Sequence, residues 1–119
     1  MIKIIHRIAF AAAFLSIFSA PLAAEEIRLS RGHAKTLILP ENPSTGFSWK
    51  IDEEGSDNLS LLAIVDHGHK RGISMPGAPG QRSWSLRAKG AGHAVLQIVY
   101  QRPWEPTPVE TRRIDIIIH

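Results

Sequence analysis

After residue 24, apolar side chains alternate with polar ones at a period of two residues. The alternation is clearest in four stretches, with apolar members Phe47, Trp49 and Ile51; Trp84, Leu86 and Ala88; Ala94, Leu96, Ile98 and Tyr100; and Ile114, Ile116 and Ile118. A period of two places every second side chain on one face of a β-strand, so each stretch predicts a half-buried strand. Further strands are predicted at residues 27–30, 35–39 and 59–66.

Glycine and proline separate these stretches and define the fold class. The breaks include Arg31-Gly32, Asn42-Pro43, Glu54-Gly55, Met75-Pro76-Gly77 and Lys89-Gly90-Ala91-Gly92. About seven or eight short strands divided by such turns predict an all-β fold, an immunoglobulin-like antiparallel β-sandwich. Residues 67–80 show little strand character and are predicted to form a long loop, a feature that is often functional in compact domains.

The first 24 residues have the composition of a signal peptide. Lys3 and Arg7 precede a nearly continuous apolar run over residues 8–22, which ends in Ala23-Ala24. This pattern predicts an exported protein cleaved after Ala23 or Ala24, with residues 1–24 removed and residues 25–119 forming one domain. The product would be periplasmic or secreted. The alternative is an uncleaved anchor, although the run is shorter than the roughly 20 residues of a membrane span.

Charge and cysteine content exclude several functions. The formal charge of the whole chain is +3, and it falls to +1 without Lys3 and Arg7. We therefore predict neither a nucleic-acid surface nor a polybasic membrane patch. The chain has no cysteine, which excludes a thiol enzyme, a cysteine-ligated zinc site and a lipid anchor on cysteine.

The segment Asn42–Phe47 is an unusually stiff turn between two predicted strands. Pro43 fixes its own φ angle, and Gly46 permits a backbone conformation that a β-carbon resists. Ser44 and Thr45 are thereby placed at a preorganised tip, where their hydroxyls can bond back to the loop or outward to a partner. An ordinary Asn-Pro turn without a binding role is the alternative.

The segment Arg102–Pro108 places a tryptophan among prolines. Trp104 is out of phase with the apolar faces, whereas Trp49 and Trp84 are in phase and are assigned to the core. An exposed tryptophan beside arginine is typical of interface hot spots. The alternatives are a Trp104 ring folded back over the end of the sandwich and an Arg102 paired with a nearby glutamate. The glutamates that could pair with Arg102 are Glu105 and Glu110.

Three segments together resemble the signature loops of the chagasin-type inhibitors of papain-family cysteine peptidases. The segments are Asn42-Pro43-Ser44-Thr45-Gly46-Phe47, Gly77-Ala78-Pro79-Gly80 and Tyr100-Gln101-Arg102-Pro103-Trp104. Their order and spacing match the family, and the resemblance extends over nearly all of residues 25–119. The family's usual pattern has Thr at the position of Ser44, and Pro79 is a milder departure.

The resemblance implies a reversible, tight-binding inhibitor rather than an enzyme, working as a monomer without a metal or other cofactor. Three loops at one end of the sandwich would block the active-site cleft of the peptidase. Asn42–Gly46 would lie over the catalytic Cys–His pair, and Trp104 would pack on aromatic residues of the primed side. Gly77–Gly80 would flank the other side.

Three other functions are weighed against this one. His67-Gly68-His69 beside Asp66 has the spacing of paired metal ligands, but no third ligand is evident, and a solvated strand end is the simpler interpretation. A Ser-His-Asp hydrolase would need a nucleophile elbow, which the chain lacks. The main alternative is a secreted immunoglobulin-like binding module for glycans or other proteins, because this architecture hosts many functions.

Overall fold

The computed structural model describes residues 25–72 and 80–119, which form seven β-strands. The strands are β1 (Glu25–Leu29), β2 (Ala34–Glu41), β3 (Ser48–Ile51), β4 (Leu62–Lys70), β5 (Gly80–Ala88), β6 (Gly92–Gln101) and β7 (Glu110–Ile118). In these residues the helical elements are two short 3-10 turns, Pro43–Thr45 and Leu59–Leu61. The predicted signal peptide and Gly77, Ala78 and Pro79 lie outside the described residues. Within those residues, no helix is long and apolar enough to cross a membrane.

The strands form a four-stranded sheet in the order β1-β7-β6-β3 and a three-stranded sheet in the order β2-β5-β4. All neighbouring strands are antiparallel except β1 and β7, which pair in parallel from Glu25 opposite Ile114 to Leu29 opposite Ile118. The predicted immunoglobulin-like sandwich is therefore confirmed, with one parallel pair at an edge of the larger sheet.

The core lies between the sheets and is built from the period-two positions of both. Its largest fully buried apolar side chains are Trp84, Leu86, Leu96, Ile98, Ile114 and Ile116. Trp49 and Trp84, assigned to the core from the sequence, are 4% and 1% exposed. Each fully buried side chain of this size stabilises the fold by about 1.5–3 kcal/mol, which is how a domain without disulfides holds together.

The predicted long loop over residues 67–80 is wrong at both ends. Strand β4 continues to Lys70, and β5 begins at Gly80. The pattern fails because a β-bulge between Asp66 and Gly68 shifts the pairing register, so the alternation changes phase within β4. Gly68 has a φ of +78° and donates its N–H to Asp66 Oδ1 at 2.7 Å.

Strand pairing brings the ends of three connections to one end of the sandwich. Glu41 at the end of β2 pairs with Gly80 at the start of β5, and Lys70 pairs with Gln81. In the other sheet, Ser48 at the start of β3 pairs with Gln101 at the end of β6. The first connection (residues 42–47), the second (71–79) and the third (102–109) therefore all leave from this end.

Candidate functional site

The first connection has the stiff turn that its sequence predicts. Pro43–Thr45 forms a 3-10 turn, and Gly46 ends it with φ +89° and ψ −8°, the left-handed region. The Gly46 N–H donates to the Pro43 carbonyl at 2.9 Å, which closes the turn. Because few residues other than glycine adopt this φ, the residue at position 46 fixes the shape of the tip.

Both hydroxyls of the tip bond back into the first connection. Ser44 Oγ donates to Asn42 Oδ1 at 2.7 Å, and Thr45 Oγ1 donates to the Asn42 carbonyl at 3.2 Å. All three side chains are exposed at the surface. Of the two predicted uses of the hydroxyls, the structure shows the inward one, so the tip is internally ordered while its outer surface stays accessible.

Arg102 joins the third connection to the first. Its Nε donates to the Thr45 carbonyl at 2.9 Å, and its guanidinium carbon lies 4.2 Å from the centre of the Phe47 ring and 5.8 Å from that of Trp104. Its Nη1 lies 3.4 Å from Glu105 Oε2. Of the two glutamates considered as ion-pair partners of Arg102, Glu105 is therefore the one that it contacts. The guanidinium thus combines a hydrogen bond, an ion pair and cation–π contacts within one chain.

A stack of three aromatic rings, Phe47, Tyr100 and Trp49, lies beneath the first connection. Tyr100 lies between Phe47, at a centroid distance of 5.3 Å, and Trp49, at 4.6 Å. Its hydroxyl accepts the Asn42 N–H at 3.0 Å, so the stack also fixes the beginning of the first connection. Ring pairs at these distances contribute about 0.5–1.5 kcal/mol beyond burial.

Trp104 is 68% exposed, yet one end of its ring rests on the first connection. A Cβ built at Gly46 would collide with Trp104 Cη2 and lie 3.1 Å from Cζ2. Both predicted arrangements of Trp104 are therefore partly realised, because the ring packs on Gly46 and still presents most of its surface. Gln101 Nε2 donates to the Glu105 carbonyl at 2.6 Å and holds the third connection in place. Residues Asn42–Phe47 and Arg102–Glu105 are called the loop edge below.

Gly80, the one described member of the predicted Gly77–Gly80 segment, is buried. A Cβ at this position would overlap the Lys70 carbonyl oxygen and lie 2.5 Å from His69 Cε1. The absence of a side chain at Gly80 therefore lets the Lys70 backbone and the His69 imidazole of this same chain lie close to it.

Sequence reasoning missed a charged cluster directly beneath the loop edge. Glu41 has a fully buried side chain, whose Oε2 accepts the Trp49 N–H at 2.9 Å and Arg82 Nε at 2.8 Å. Arg82 Nη1 also lies 3.0 Å from both carboxylate oxygens of Asp66. The signal that could have found it is phase, because Glu41 continues the inward series of Leu37 and Leu39.

The paired-histidine interpretation of His67-Gly68-His69 is wrong. The bulge separates the two rings, so His67 is exposed while His69 Nδ1 lies 2.7 Å from Glu41 Oε1. His69 is thus an inward partner of a buried carboxylate rather than part of a solvated strand end. Within residues 25–72 and 80–119, no group of three or more His, Cys, Asp or Glu side chains could hold a metal ion.

The partners of Glu41 determine its protonation. Burial alone would raise the pKa of this carboxyl, but hydrogen bonds from Trp49, Arg82 and His69 outweigh that effect. The net result is a pKa below the ordinary value of 4.5. Glu41 is therefore charged in the folded protein at neutral pH.

The fold and the loop edge define an immunoglobulin-like sandwich with an internally ordered, exposed surface at one end. The chain matches the sequence model of the family described as Chagasin family peptidase inhibitor I42 over residues 28–118. It is similar to amoebiasin-1 of Entamoeba histolytica, with 35% identity over 81 residues that cover 67% of this chain and 76% of the relative.

Chagasin of Trypanosoma cruzi is 26% identical over 89 residues, covering 73% of this chain and 81% of the relative. The crystal structure of the cysteine protease inhibitor EhICP2 from Entamoeba histolytica matches with a TM-score of 0.65 at 22% identity. That match covers 80% of this chain and 85% of the other, and at this identity it supports the fold. The chain belongs to the chagasin family of peptidase inhibitors, as the three segments predicted.

The Gly46–Trp104 contact generates a prediction with a matched control. Gly46→Ala and Gly32→Ala both place a β-carbon at a similar positive φ, +89° and +84°, but the β-carbon at position 32 would meet no atom within 4 Å. Each should lose about 1–3 kcal/mol of unfolding free energy through backbone strain. Gly46→Ala should lose more and should shift the indole N–H resonance of Trp104, which Gly32→Ala should leave in place. Urea unfolding and NMR spectra measure both effects, and equal behaviour of the two variants would contradict the contact.

The lowered pKa of Glu41 predicts acid sensitivity. A carboxyl whose folded pKa lies below its unfolded value stabilises the fold above about pH 4.5, and that contribution is lost as the pH falls through the folded pKa. Glu41→Gln should therefore reduce the fall in unfolding free energy between about pH 5 and pH 3, measured by urea unfolding. Part of the fall in unfolding free energy should remain in this variant, because the hydrogen bond from Arg112 also lowers the pKa of Glu25. The exposed Glu53→Gln is the control and should keep the full dependence.

Proposed function

We propose that this protein is a reversible, tight-binding inhibitor of papain-family cysteine peptidases and that the loop edge enters the active-site cleft. Membership of the chagasin family supports papain-family cysteine peptidases as the class of enzyme that is inhibited. The observation that carries the proposal is the contact of Trp104 with Gly46, backed by the Arg102 hydrogen bond to Thr45. These contacts lock two connections together while leaving a large, exposed aromatic surface.

Rigidity is the physical basis of the proposed inhibition. The hydroxyls of Ser44 and Thr45 are already bonded within the tip, and proline limits the freedom of the third connection, so little conformational entropy is lost on binding. The tip is a 3-10 turn, which occupies a cleft without offering an extended peptide for attack. A standard protease–inhibitor interface buries about 1,600 Å² in total, and tight inhibitors fall in this size class.

The proposed binding residues divide into exposed residues that would contact the peptidase and half-buried residues that would hold them in place. Asn42, Pro43, Ser44 and Thr45 are exposed and would lie over the catalytic Cys–His pair, while Trp104 would pack on aromatic residues of the primed side. Pro103 is exposed beside Trp104.

Three of the remaining proposed residues would position the exposed ones rather than contact the peptidase. Phe47 and Arg102 are half-buried and would hold the exposed ones in place, and Gly46 would admit the Trp104 ring. Gly77, Ala78, Pro79 and Gly80 would flank the opposite side, as the family resemblance implies. Ser44 keeps the hydroxyl of the family's usual Thr and lacks only its methyl group.

Titration of papain with the purified protein tests this function. Stoichiometric, reversible inhibition is expected, and Trp104→Ala should weaken it by about 2–4 kcal/mol, as truncation of an interface hot spot does. Ile38→Ala is the matched control, because this exposed apolar residue lies on β2 away from the loop edge and should leave the inhibition constant unchanged. No inhibition at micromolar concentration, with the fold intact, would favour the glycan- or protein-binding module instead.

We also propose that residues 1–24 direct export and are removed, so that the working inhibitor is a monomeric periplasmic or secreted domain of residues 25–119. The basic start, the apolar run and Ala23-Ala24 support this. The expected result is a protein outside the cytoplasm whose intact mass corresponds to cleavage after Ala23 or Ala24. Recovery of the full-length chain in the membrane fraction would instead indicate an uncleaved anchor.

A further inference from the structure

Two turns lie side by side at the end of the sandwich opposite to the loop edge. Ala34 at the start of β2 pairs with Arg87 near the end of β5, so the turn before β2 and the turn after β5 both lie at this end. The Gly32 N–H, in the first of these turns, donates to the Ala88 carbonyl at 2.8 Å. Backbone hydrogen bonding therefore fixes the two turns relative to each other.

These turns and the strand ends beside them carry four exposed cations. The four residues are called the basic end below, and they are Arg31, Lys35, Arg87 and Lys89. Arg87 Nη1 donates to the Gly32 carbonyl at 2.6 Å, so this cation reaches from β5 to the turn before β2. Arg31 lies in that turn, and Lys89 directly follows β5. The positive charges thus form one contiguous surface.

No acidic side chain neutralises the basic end. All 11 acidic residues of the chain lie in the part that the structure describes, and none of them forms an ion pair with the four cations. Asp57 and Asp115, in this half of the larger sheet, contact Arg113 and His93 instead. The carboxylate of His119, the last residue of the sequence, also lies at this end, because the Arg31 N–H donates to the His119 carbonyl. The end therefore carries four cations against one carboxylate.

The nearly balanced charge of residues 25–119 conceals this surface. A formal charge of +1 counts charges without regard to position, and most of the acidic side chains are spent on ion pairs elsewhere in the fold. A local excess of one sign raises the concentration of oppositely charged partners near it, whatever the net charge of the molecule. The partner of this end is therefore an anion.

The side chains at this end define the class of anion. The large, exposed apolar side chains in the described part of the chain lie elsewhere, and they are Ile38, Val65, Trp104 and Val109. The basic end therefore offers neither an apolar wedge for a membrane nor an aromatic ring on which nucleic-acid bases stack. Two short turns also provide no helix or strand ribbon that could enter a DNA groove. A flexible polymer with repeated anionic groups needs only exposed cations, and the arginine fork matches oxyanions in geometry.

We propose that the basic end binds an anionic polysaccharide through its repeated sulfate, phosphate or carboxylate groups. Because this surface and the loop edge lie at opposite ends of the sandwich, the polymer leaves the loop edge exposed. Binding of this kind would hold an exported protein on an anionic cell surface or matrix with its loop edge facing outward. The inference does not depend on the inhibitory function proposed above.

Heparin is the probe for the first test. The purified protein should bind it, and the logarithm of the binding constant should fall with the logarithm of the salt concentration with a slope of about −3. That slope is the one expected when about four cations contact a flexible polyanion. In NMR spectra, heparin should shift the backbone amides of residues 31–35 and 87–93 and leave those of residues 44–47 in place. Absence of binding, or shifts centred on the loop edge, would overturn the proposal.

Two triple variants separate the basic end from net charge. Each removes three exposed cations, and they are Arg31→Gln/Lys35→Gln/Lys89→Gln and the control Lys50→Gln/Lys70→Gln/Arg71→Gln. Arg87 is kept because it is hydrogen-bonded to the Gly32 carbonyl. The first variant should bind heparin about tenfold more weakly or worse, with a slope nearer −1, and the control should bind like the wild type. An equal loss in both would show attraction by net charge alone and would refute the proposal.

Other polyanions and papain complete the test. Duplex DNA and vesicles of phosphatidylglycerol should bind more weakly than heparin at the same concentration of anionic groups, and tighter binding to either would overturn the choice of a polysaccharide. The first triple variant should inhibit papain as the wild type does, and a weakened inhibition would place its cations in the inhibitory surface instead. If the wild type does not inhibit papain, the proposed function fails, while heparin binding still decides this inference.

Discussion

The buried charge of Glu41 is the constraint around which the loop-edge end of the molecule is organised. A carboxylate without solvent is stable only if it is paired and hydrogen-bonded. Its partners come from β3, β4 and β5, so satisfying it requires the two sheets to close in a single arrangement at this end. The sandwich could be held by its apolar core alone, but the precise placement of the connections could not.

Above this charged base, the loop edge uses a different kind of interaction. Tyr100 and Phe47 form an aromatic platform, Arg102 lies between Phe47 and Trp104, and the Trp104 ring sits on Gly46. These contacts are short-ranged and within one chain, so the exposed surface is shaped before any partner arrives. The protein therefore separates two tasks, with buried charges setting the positions of the strands and stacked rings setting the shape of the tips.

Much of this organisation can be predicted from the sequence. The period-two pattern identifies most strands and the buried Trp49 and Trp84, and the three short segments indicate the family. The β4 bulge was not predicted, because its one compositional mark is Gly68, and a single glycine is as typical of a loop as of a bulge. The Glu41 cluster depends on residues 41, 69 and 82, which become neighbours only through strand pairing. The parallel pairing of β1 is equally non-local, since a short edge strand can add to a sheet in either direction.

The bulge at Asp66–Gly68 has a consequence for the behaviour of the protein in concentrated solution. Among the strands that the structure describes, β4 is an edge strand of the three-stranded sheet, and an exposed edge of this length is a template on which another chain can add a strand. The bulge breaks the regular row of donors and acceptors, and the Asp66 side chain already occupies the Gly68 N–H. The irregularity that turns His69 inward thus also protects a cysteine-free domain against edge-to-edge aggregation.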